Sequence, residues 1–359
     1  MPRRPACCSR WLRSRSVSTR VNPEGMVTMR AAILESFSGP ASVVVRDIPP
    51  PEPGPGEVLV KVTCSPVNPS DVLYCSGLYG KPPQLPVTPG FEGCGVVAAS
   101  GGGFLADRLI GKRVAGAVQA GRGFWSQYVV LKAMETMVMP PGVTNESAAS
   151  AFVNPLTAVA LARPVVEGRH PAMIQTAAGS QLGRMIIRLS QRHGFRLINI
   201  VHRKSLADEL KSKGARHVLD SSDPGFKHDL STLAHELGAT WAADAVAGEM
   251  TGILASCMPQ GSTIAVYGVL SGTESRVNPG DLIFRGQTVT GFWLSGEFKD
   301  RGPLGLARIA MRMRHATSLL ETDLKTEAQA HLTLDQIATK LPELLKNTSK
   351  GKIYITPNA

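Results

Sequence analysis

From Ala172 to Val201 the apolar pattern switches from strand to helix and back to strand. Ala172–Thr176 is a short apolar run, and Ala177–Gly183 is a turn rich in small residues. Leu182, Met185, Ile186 and Leu189 then recur at helical spacing until Gly194 stops the helix. Leu197–Val201 reads as a second buried strand. The alternation continues downstream, with strands predicted at 216–219, 241–245, 262–267 and 287–292. Helices are predicted at 147–163, 181–193, 205–213, 228–237, 248–257 and 304–320. Strands alternating with helices in this way predict a doubly wound α/β domain with a parallel sheet.

The first half of the chain has a different rhythm. Met29–Leu34, Val58–Cys64, Phe91–Ala99, Gly111–Ala117 and Tyr128–Leu131 read as strands. Pro49–Gly56 is a stiff, helix-free connection, and the proline-rich stretch 66–90 leaves room only for short helices. Ile353–Thr356 is a lone final strand, and an orphan strand needs a sheet to join. The predicted organisation is a β-rich domain over 26–150, an α/β domain over 151–315, and a return over 316–359 that rejoins the first domain. No period repeats along the chain, which excludes a solenoid.

Composition adds four constraints. No run is long and apolar enough to span a membrane, so no membrane partner is expected. Residues 1–25 hold six arginines, five serines or threonines and one acid, Glu24. An Arg-rich, Ser-rich, acid-poor start reads as a mitochondrial transit peptide, with a disordered basic tail as the plain alternative. The formal net charge is +11, and without that segment 33 basic residues face 27 acidic ones, a net +6. A residual +6 does not call for nucleic acid, and suits a phosphate-rich cofactor and an anionic substrate. The six cysteines show neither ligand spacing nor a disulfide framework, as in a reducing compartment such as the mitochondrial matrix.

The strand–turn–helix–strand unit is where candidate chemistry concentrates. Such a unit places a pyrophosphate at a helix N-terminus. The strict glycine fingerprint is broken here by Ala178 and Ser180, although strand, helix and spacing are right, the second strand ending about 20 residues after the turn. At that strand end, where an acid would read a free ribose 2′-hydroxyl, the chain has His202, Arg203 and Lys204. Cations at that point favour a 2′-phosphate, so the expected cofactor is NADPH. The alternative is a solvated basic loop.

Several stretches resemble the medium-chain dehydrogenase/reductase superfamily across residues 29–359. They are Val67-Asn68-Pro69-Ser70-Asp71, Gly90-Phe91-Glu92-Gly93, Asn154-Pro155-Leu156-Thr157-Ala158 and the turn above. The resemblance implies a GroES-like catalytic domain followed by a Rossmann domain. Where many members keep catalytic zinc ligands, this chain has Asn68, Phe91 and Asn154, and no cysteine lies between Cys94 and Cys257 to build a structural zinc lobe. Asn and Phe cannot replace thiolate or imidazole at zinc. The resemblance is therefore to a zinc-free branch, and no metal is expected.

That branch contains quinone reductases and 2-enoyl thioester reductases. Tyr79, eight residues after Asp71, stands where the resemblance places a catalytic tyrosine. Leu282–Gly286 leading into Gly291–Ser295 is similar to a strand lining the nicotinamide pocket. Together with the leader, these favour a mitochondrial enoyl reductase of fatty acid synthesis acting on enoyl-CoA or enoyl-acyl-carrier protein. A quinone reductase is the first alternative, and a non-catalytic nucleotide- or RNA-binding protein the second.

A phenol is protonated at neutral pH and can stabilise or protonate an enolate. Tyr79 is the candidate for that role. The competing Tyr74 is at helical spacing from Asp71, which points to packing. Asn68 is expected to orient substrate or loop backbone, with a turn asparagine as the alternative. Trp293 is expected to wall the pocket, with core packing as the alternative. The implied cofactor contacts are Gly179, Ser180, Gln181 and Leu182 at the turn, and His202, Arg203 and Lys204 at the 2′-phosphate. Asn154 is placed near the nicotinamide ribose. Tyr267, Gly268, Val269 and Leu270, then Phe292, Trp293, Leu294 and Ser295, are expected to line the cleft, and Lys352 to complete it from the other domain. Dimerisation through a sheet edge is implied by the resemblance.

Overall fold

The structure is a computed structural model that describes residues 20–21, 27–82, 84–118, 121–298, 303–346 and 351–359. The leader expected over 1–25 lies outside these residues, apart from the two-residue strand Arg20–Val21. The chain divides into two compact units, Met1–Phe152 with Thr326–Ala359, and Val153–Lys325.

The first unit is β-rich. Ala328–Leu332, Lys352–Ile355, Glu57–Pro66, Glu92–Ser100, Arg113–Ala117 and Met137–Val138 follow one another across one sheet, with Tyr128–Lys132 also paired to Glu57–Pro66. Arg20–Val21, Val27–Leu34 and Val43–Ile48 form a second, antiparallel sheet. The strand expected over 353–356 is Lys352–Ile355, and it joins the first unit's sheet between Ala328–Leu332 and Glu57–Pro66. The return begins at Thr326, later than 316, because Pro303–Ser318 is a helix of the second unit.

The second unit holds six parallel strands in the order His217–Asp220, Arg196–Val201, Ala172–Gln175, Ala239–Asp244, Thr263–Val266 and Thr288–Gly291. The direction of winding reverses beside Ala172–Gln175, which makes the carboxyl ends of that strand and of Ala239–Asp244 the switch point of the sheet. Ile174, Ile198, Leu230, Leu254 and Ile264 lie in the core between sheet and helices. Helix Gln181–His193 buries Leu182, Met185, Ile186 and Leu189, the residues whose spacing predicts it. Its end is set by Gly194 in the left-handed conformation, which glycine adopts without steric cost.

One predicted helix is interrupted. The stretch 147–163 is two helices, Asn145–Ala149 and Val153–Val166. The backbone N–H of Phe152 donates to Glu92 Oε2 at 3.0 Å instead of to a helical carbonyl, and Ser150 Oγ lies 2.9 Å from Tyr354 Oη. Long-range partners therefore outcompete local helix continuation at the point where the two units meet in sequence.

Candidate active site

The second unit gathers the expected cofactor residues at the carboxyl edge of its sheet. Strand Ala172–Gln175 ends in a turn where Ala177 takes a positive φ of 50°. Ser180 caps the following helix, its side chain accepting from Gly183 N at 3.1 Å. The turn is packed tightly. A Cβ on Gly179 would stand 2.3 Å from Leu206 Cδ2, and one on Gly183 would stand 2.5 Å from the Ala178 carbonyl oxygen. Glycine at 183 is thus required by close helix–turn packing, although the preceding fingerprint positions are filled by other residues. Gln181 and Leu182 are buried in the first turn of the helix.

Two features hold this turn that the sequence reading did not single out. Gln175 is fully buried, and its Nε2 donates to Gly183 O at 3.0 Å and to Asn199 Oδ1 at 2.7 Å. Arg184 donates from Nε to Gly179 O at 3.0 Å, while its other nitrogens pair with both carboxylate oxygens of Glu209. The Arg184 and Lys213 side chains hold the Glu209 carboxyl down to about 2. Arg184 is a brace for the turn, since its guanidinium is already committed.

Asp244, at the switch point, was also missed. It is fully buried, and its Oδ1 accepts from Thr176 Oγ1 at 2.9 Å and from the backbone N–H groups of Val246 and Ala247. Its Oδ2 accepts from Thr251 Oγ1 at 2.8 Å. Thr176 Oγ1 in turn accepts from Ala245 N at 2.8 Å. This carboxylate ties together two strand ends and the turn that follows one of them. The sequence signal was an acid ending the apolar strand Ala239–Asp244, where a charge must find several donors.

His202, Arg203 and Lys204 follow strand Arg196–Val201, and all three are exposed. His202 Nδ1 lies 3.0 Å from Ser221 Oγ, beyond the neighbouring strand His217–Asp220. Tyr267–Leu270 follow strand Thr263–Val266, with Val269 and Leu270 exposed. Gly268 is close-packed, since a Cβ there would stand 2.8 Å from Ala245 O. The Tyr267 hydroxyl is buried without a hydrogen-bond partner among the described residues, and burial raises its pKa. Phe292–Ser295 follow Thr288–Gly291, and Trp293 is 58% exposed. Trp293 is therefore not packed into the core. Asn154 is buried in the first turn of helix Val153–Val166 in the same unit.

These residues fit a phosphorylated dinucleotide. The capped N-terminus of helix Gln181–His193 has no acid in its first turn, the turn before it lies close against its neighbours, and three basic residues stand exposed after strand Arg196–Val201. The orphaned Tyr267 hydroxyl offers a further polar group at the same edge of the sheet.

In the first unit Asn68 caps helix Pro69–Cys75. Its Nδ2 donates to Glu92 Oε1 at 2.9 Å, and Lys352 Nζ donates to its Oδ1. Asp71 Oδ2 accepts from Asn68 N at 2.7 Å, and Asp71 Oδ1 accepts from Phe91 N at 2.9 Å. All four side chains, Asn68, Asp71, Glu92 and Lys352, are buried. Burial pushes the Asp71 carboxyl up to about 7 against the two backbone hydrogen bonds, and also lowers the Lys352 pKa against the pull of Glu92 and Asp71. Lys352 was expected to reach the cofactor cleft. Within the first unit its side chain is buried and its Nζ donates to Asn68 Oδ1.

Phe91 is the ring that this cluster holds in place. Tyr79 lies against it with ring centroids 5.0 Å apart, and Tyr74 meets it edge-on at 5.1 Å. Tyr74 is buried, as its helical spacing predicts, while Tyr79 is half-exposed in the loop after the helix. Among the described residues no cluster of three or more His, Cys, Asp or Glu side chains is arranged to hold a metal ion.

Comparison with known proteins assigns the same two regions. The family model for the alcohol dehydrogenase GroES-like domain matches residues 54–141, and the model named zinc-binding dehydrogenase matches residues 182–308. The mitochondrial enoyl-[acyl-carrier-protein] reductase of Bos taurus is 31% identical over 84% of this chain and 79% of its own. A putative NADPH:quinone reductase from Mesorhizobium loti superposes with a TM-score of 0.83 at 32% identity, covering 92% of this chain and 98% of that one. A mycobacterial protein solved in complex with NADPH gives a TM-score of 0.76 at 26% identity, covering 92% of this chain and all of that one. The GroES-like and Rossmann halves, in this order and at this level of identity, make the chain a member of the medium-chain dehydrogenase/reductase superfamily of oxidoreductases.

Proposed function

We propose that this protein reduces 2-enoyl thioesters with NADPH, as part of fatty acid synthesis in mitochondria. The observation that carries the reading is Tyr79, a half-exposed phenol seated on Phe91, whose backbone N–H is held by a buried hydrogen-bonded cluster. NADPH, when bound, supplies the hydride. Gly179, Ser180, Gln181 and Leu182 hold the pyrophosphate through the turn and the helix N-terminus, and Arg203 and Lys204 hold the 2′-phosphate with His202 beside them. Tyr79 Oη hydrogen-bonds the thioester oxygen as negative charge gathers there, donates its proton to Cα as the hydride adds at Cβ, and is reprotonated from solvent. Trp293 and Phe292 shield the reacting carbons from water. Asn154 orients the nicotinamide ribose.

The relatives support this substrate class by name, and the exposed cations suit an acyl chain borne on CoA or a carrier protein. The edge strand Thr288–Gly291, next to the exposed Ile283 and Phe284, suits pairing with a second copy of the chain. The second reading is an NADPH:quinone oxidoreductase, favoured by the 32% identical neighbour of that name. Quinone reduction needs no dedicated phenol at position 79.

Steady-state NADPH oxidation with a medium-chain trans-2-enoyl-CoA and, separately, with an orthoquinone distinguishes the two. Enoyl turnover is expected, falling on the order of 100-fold or more in Tyr79→Phe, in the range for loss of a proton donor. Orthoquinone turnover without enoyl turnover would establish the second reading instead.

A further inference from the structure

We infer that Lys352, Asn68, Glu92 and Asp71 form a buried positioning network that sets the angle and depth of Tyr79 through the Phe91 ring. The inference rests on Tyr79 having the role proposed above.

The geometry is a continuous set of contacts between segments far apart in the chain. Lys352, from the final strand, donates to Asn68 Oδ1. The Asn68 amide passes the constraint to Glu92 through its Nδ2, and the Asn68 backbone N–H passes it to Asp71. Asp71 grips the backbone N–H of Phe91, and Glu92 is the next residue along. Glu92 is itself held from its other oxygen by Phe152 N. Phe91 thus has its backbone fixed on both sides. Its ring is the surface against which Tyr79 rests, 5.0 Å away and tilted by 44°.

The network is costly as a purely structural device. Burying an ammonium and two carboxylates costs more than burying apolar residues of similar size unless every partner is satisfied. The described hydrophobic cluster around Val67, Cys75, Trp125 and Ile353 already packs this part of the unit, with Tyr79 and Phe91 against it. What an apolar replacement lacks is direction. A hydrogen-bonded amide held at both ends by opposite charges permits one orientation of the loop, and proton delivery depends on placement at the level of an ångström. All four side chains are buried within the first unit. The Asn68 amide is occupied at both ends, and Lys352 is buried beneath it.

The test is a double-mutant cycle on enoyl-CoA turnover. Lys352→Met is expected to lower kcat about tenfold while leaving the KM for NADPH within twofold, since the cofactor turn belongs to the other unit. Lys352→Arg, which restores a cation and a donor, is expected to recover most of that loss. In the Tyr79→Phe background, Lys352→Met is expected to add less than twofold, because there is no proton donor left to aim. Phe91→Leu leaves every hydrogen bond of the network in place and removes only the ring. It is expected to show the same kcat loss and the same lack of additivity, and it carries the test should Lys352→Met not fold. A Lys352→Met loss that multiplies fully with Tyr79→Phe, or that falls on the KM for NADPH, would overturn the inference. So would full turnover in both Lys352→Met and Phe91→Leu alongside a large loss in Tyr79→Phe, which leaves the proposed function standing. Unchanged enoyl turnover in Tyr79→Phe itself would remove the reading on which the inference rests.

Discussion

The turn at Ala177–Gly183 and the loop that carries Tyr79, the two segments proposed to hold the pyrophosphate and to deliver the proton, are built by opposite means. The turn at Ala177–Gly183 is built from backbone. A positive φ at Ala177, a capped helix and glycines pressed against a carbonyl and a leucine fix it within a few residues of sequence. The loop ending at Tyr79 is built from side chains. Asn68, Asp71, Phe91, Glu92 and Lys352 come from three distant stretches of the chain, and their hydrogen bonds surround Phe91, the ring against which Tyr79 rests. Backbone placement is rigid and intolerant of volume. Side-chain placement is sensitive to charge.

Leaving Tyr79 itself aside, the largest effect is expected where backbone tolerance is lowest, because it falls on both stability and cofactor affinity. Gly183→Val places a branched side chain against the Ala178 backbone, which a Cβ alone already approaches to 2.5 Å. The helix start must shift, at a cost of about 3 kcal/mol of stability, the upper part of the range for overpacking. Thermal melting and NADPH titration should show both a lower Tm and a loss of affinity of at least about tenfold, whereas Asn68→Ala should lower turnover without that loss of NADPH affinity. Wild-type NADPH affinity in Gly183→Val would mean that the pyrophosphate does not sit on this turn.

An effect of middle size is expected at the exposed end of the same site. Arg203→Ala removes one of the exposed cations proposed to hold the 2′-phosphate, and each charge-assisted contact of that kind contributes about 1.5–3 kcal/mol. The KM for NADPH should rise about tenfold or more, with the KM for NADH nearly unchanged. Equal increases for both cofactors would assign Arg203 to the shared pyrophosphate or to folding, and would leave the 2′-phosphate to other residues.

The contrast between backbone and side-chain construction also explains what could be read in the sequence. Helix Gln181–His193 was legible to the residue, because an amphipathic run between a serine cap and a glycine stop is local information. The break at Ser150–Phe152 was not, because the Phe152 N–H is drawn to Glu92, which no local pattern predicts. Lys352 shows the same limit. The sequence placed it just before a terminal strand that in fact begins with it, and could not say that its ammonium donates to Asn68. Asp244 was overlooked for a related reason. An acid closing a buried strand signals a demand for donors, and those donors, Thr176 and Thr251, come from separate elements.

The smallest expected effect is the most specific to the side-chain network. Burial raises the Asp71 carboxyl from its ordinary value to about 7, so the folded protein holds that proton more tightly than the unfolded chain. Its contribution to stability is fully present below the unfolded value near 4 and is lost as pH rises through about 7. Asp71→Asn deletes this titration while keeping the side chain's shape. The variant is less stable at every pH, because an amide cannot accept from both Asn68 N and Phe91 N through two oxygens. Its Tm, however, should fall less steeply than that of the wild type between pH 5 and pH 8, by a few degrees across the window. A wild-type slope unchanged in Asp71→Asn would show that the carboxyl titrates at its ordinary value, with its two backbone hydrogen bonds offsetting burial. The bracket around Phe91 would then be charged throughout the neutral range, and Lys352 would be its counter-ion as well as the anchor of Asn68.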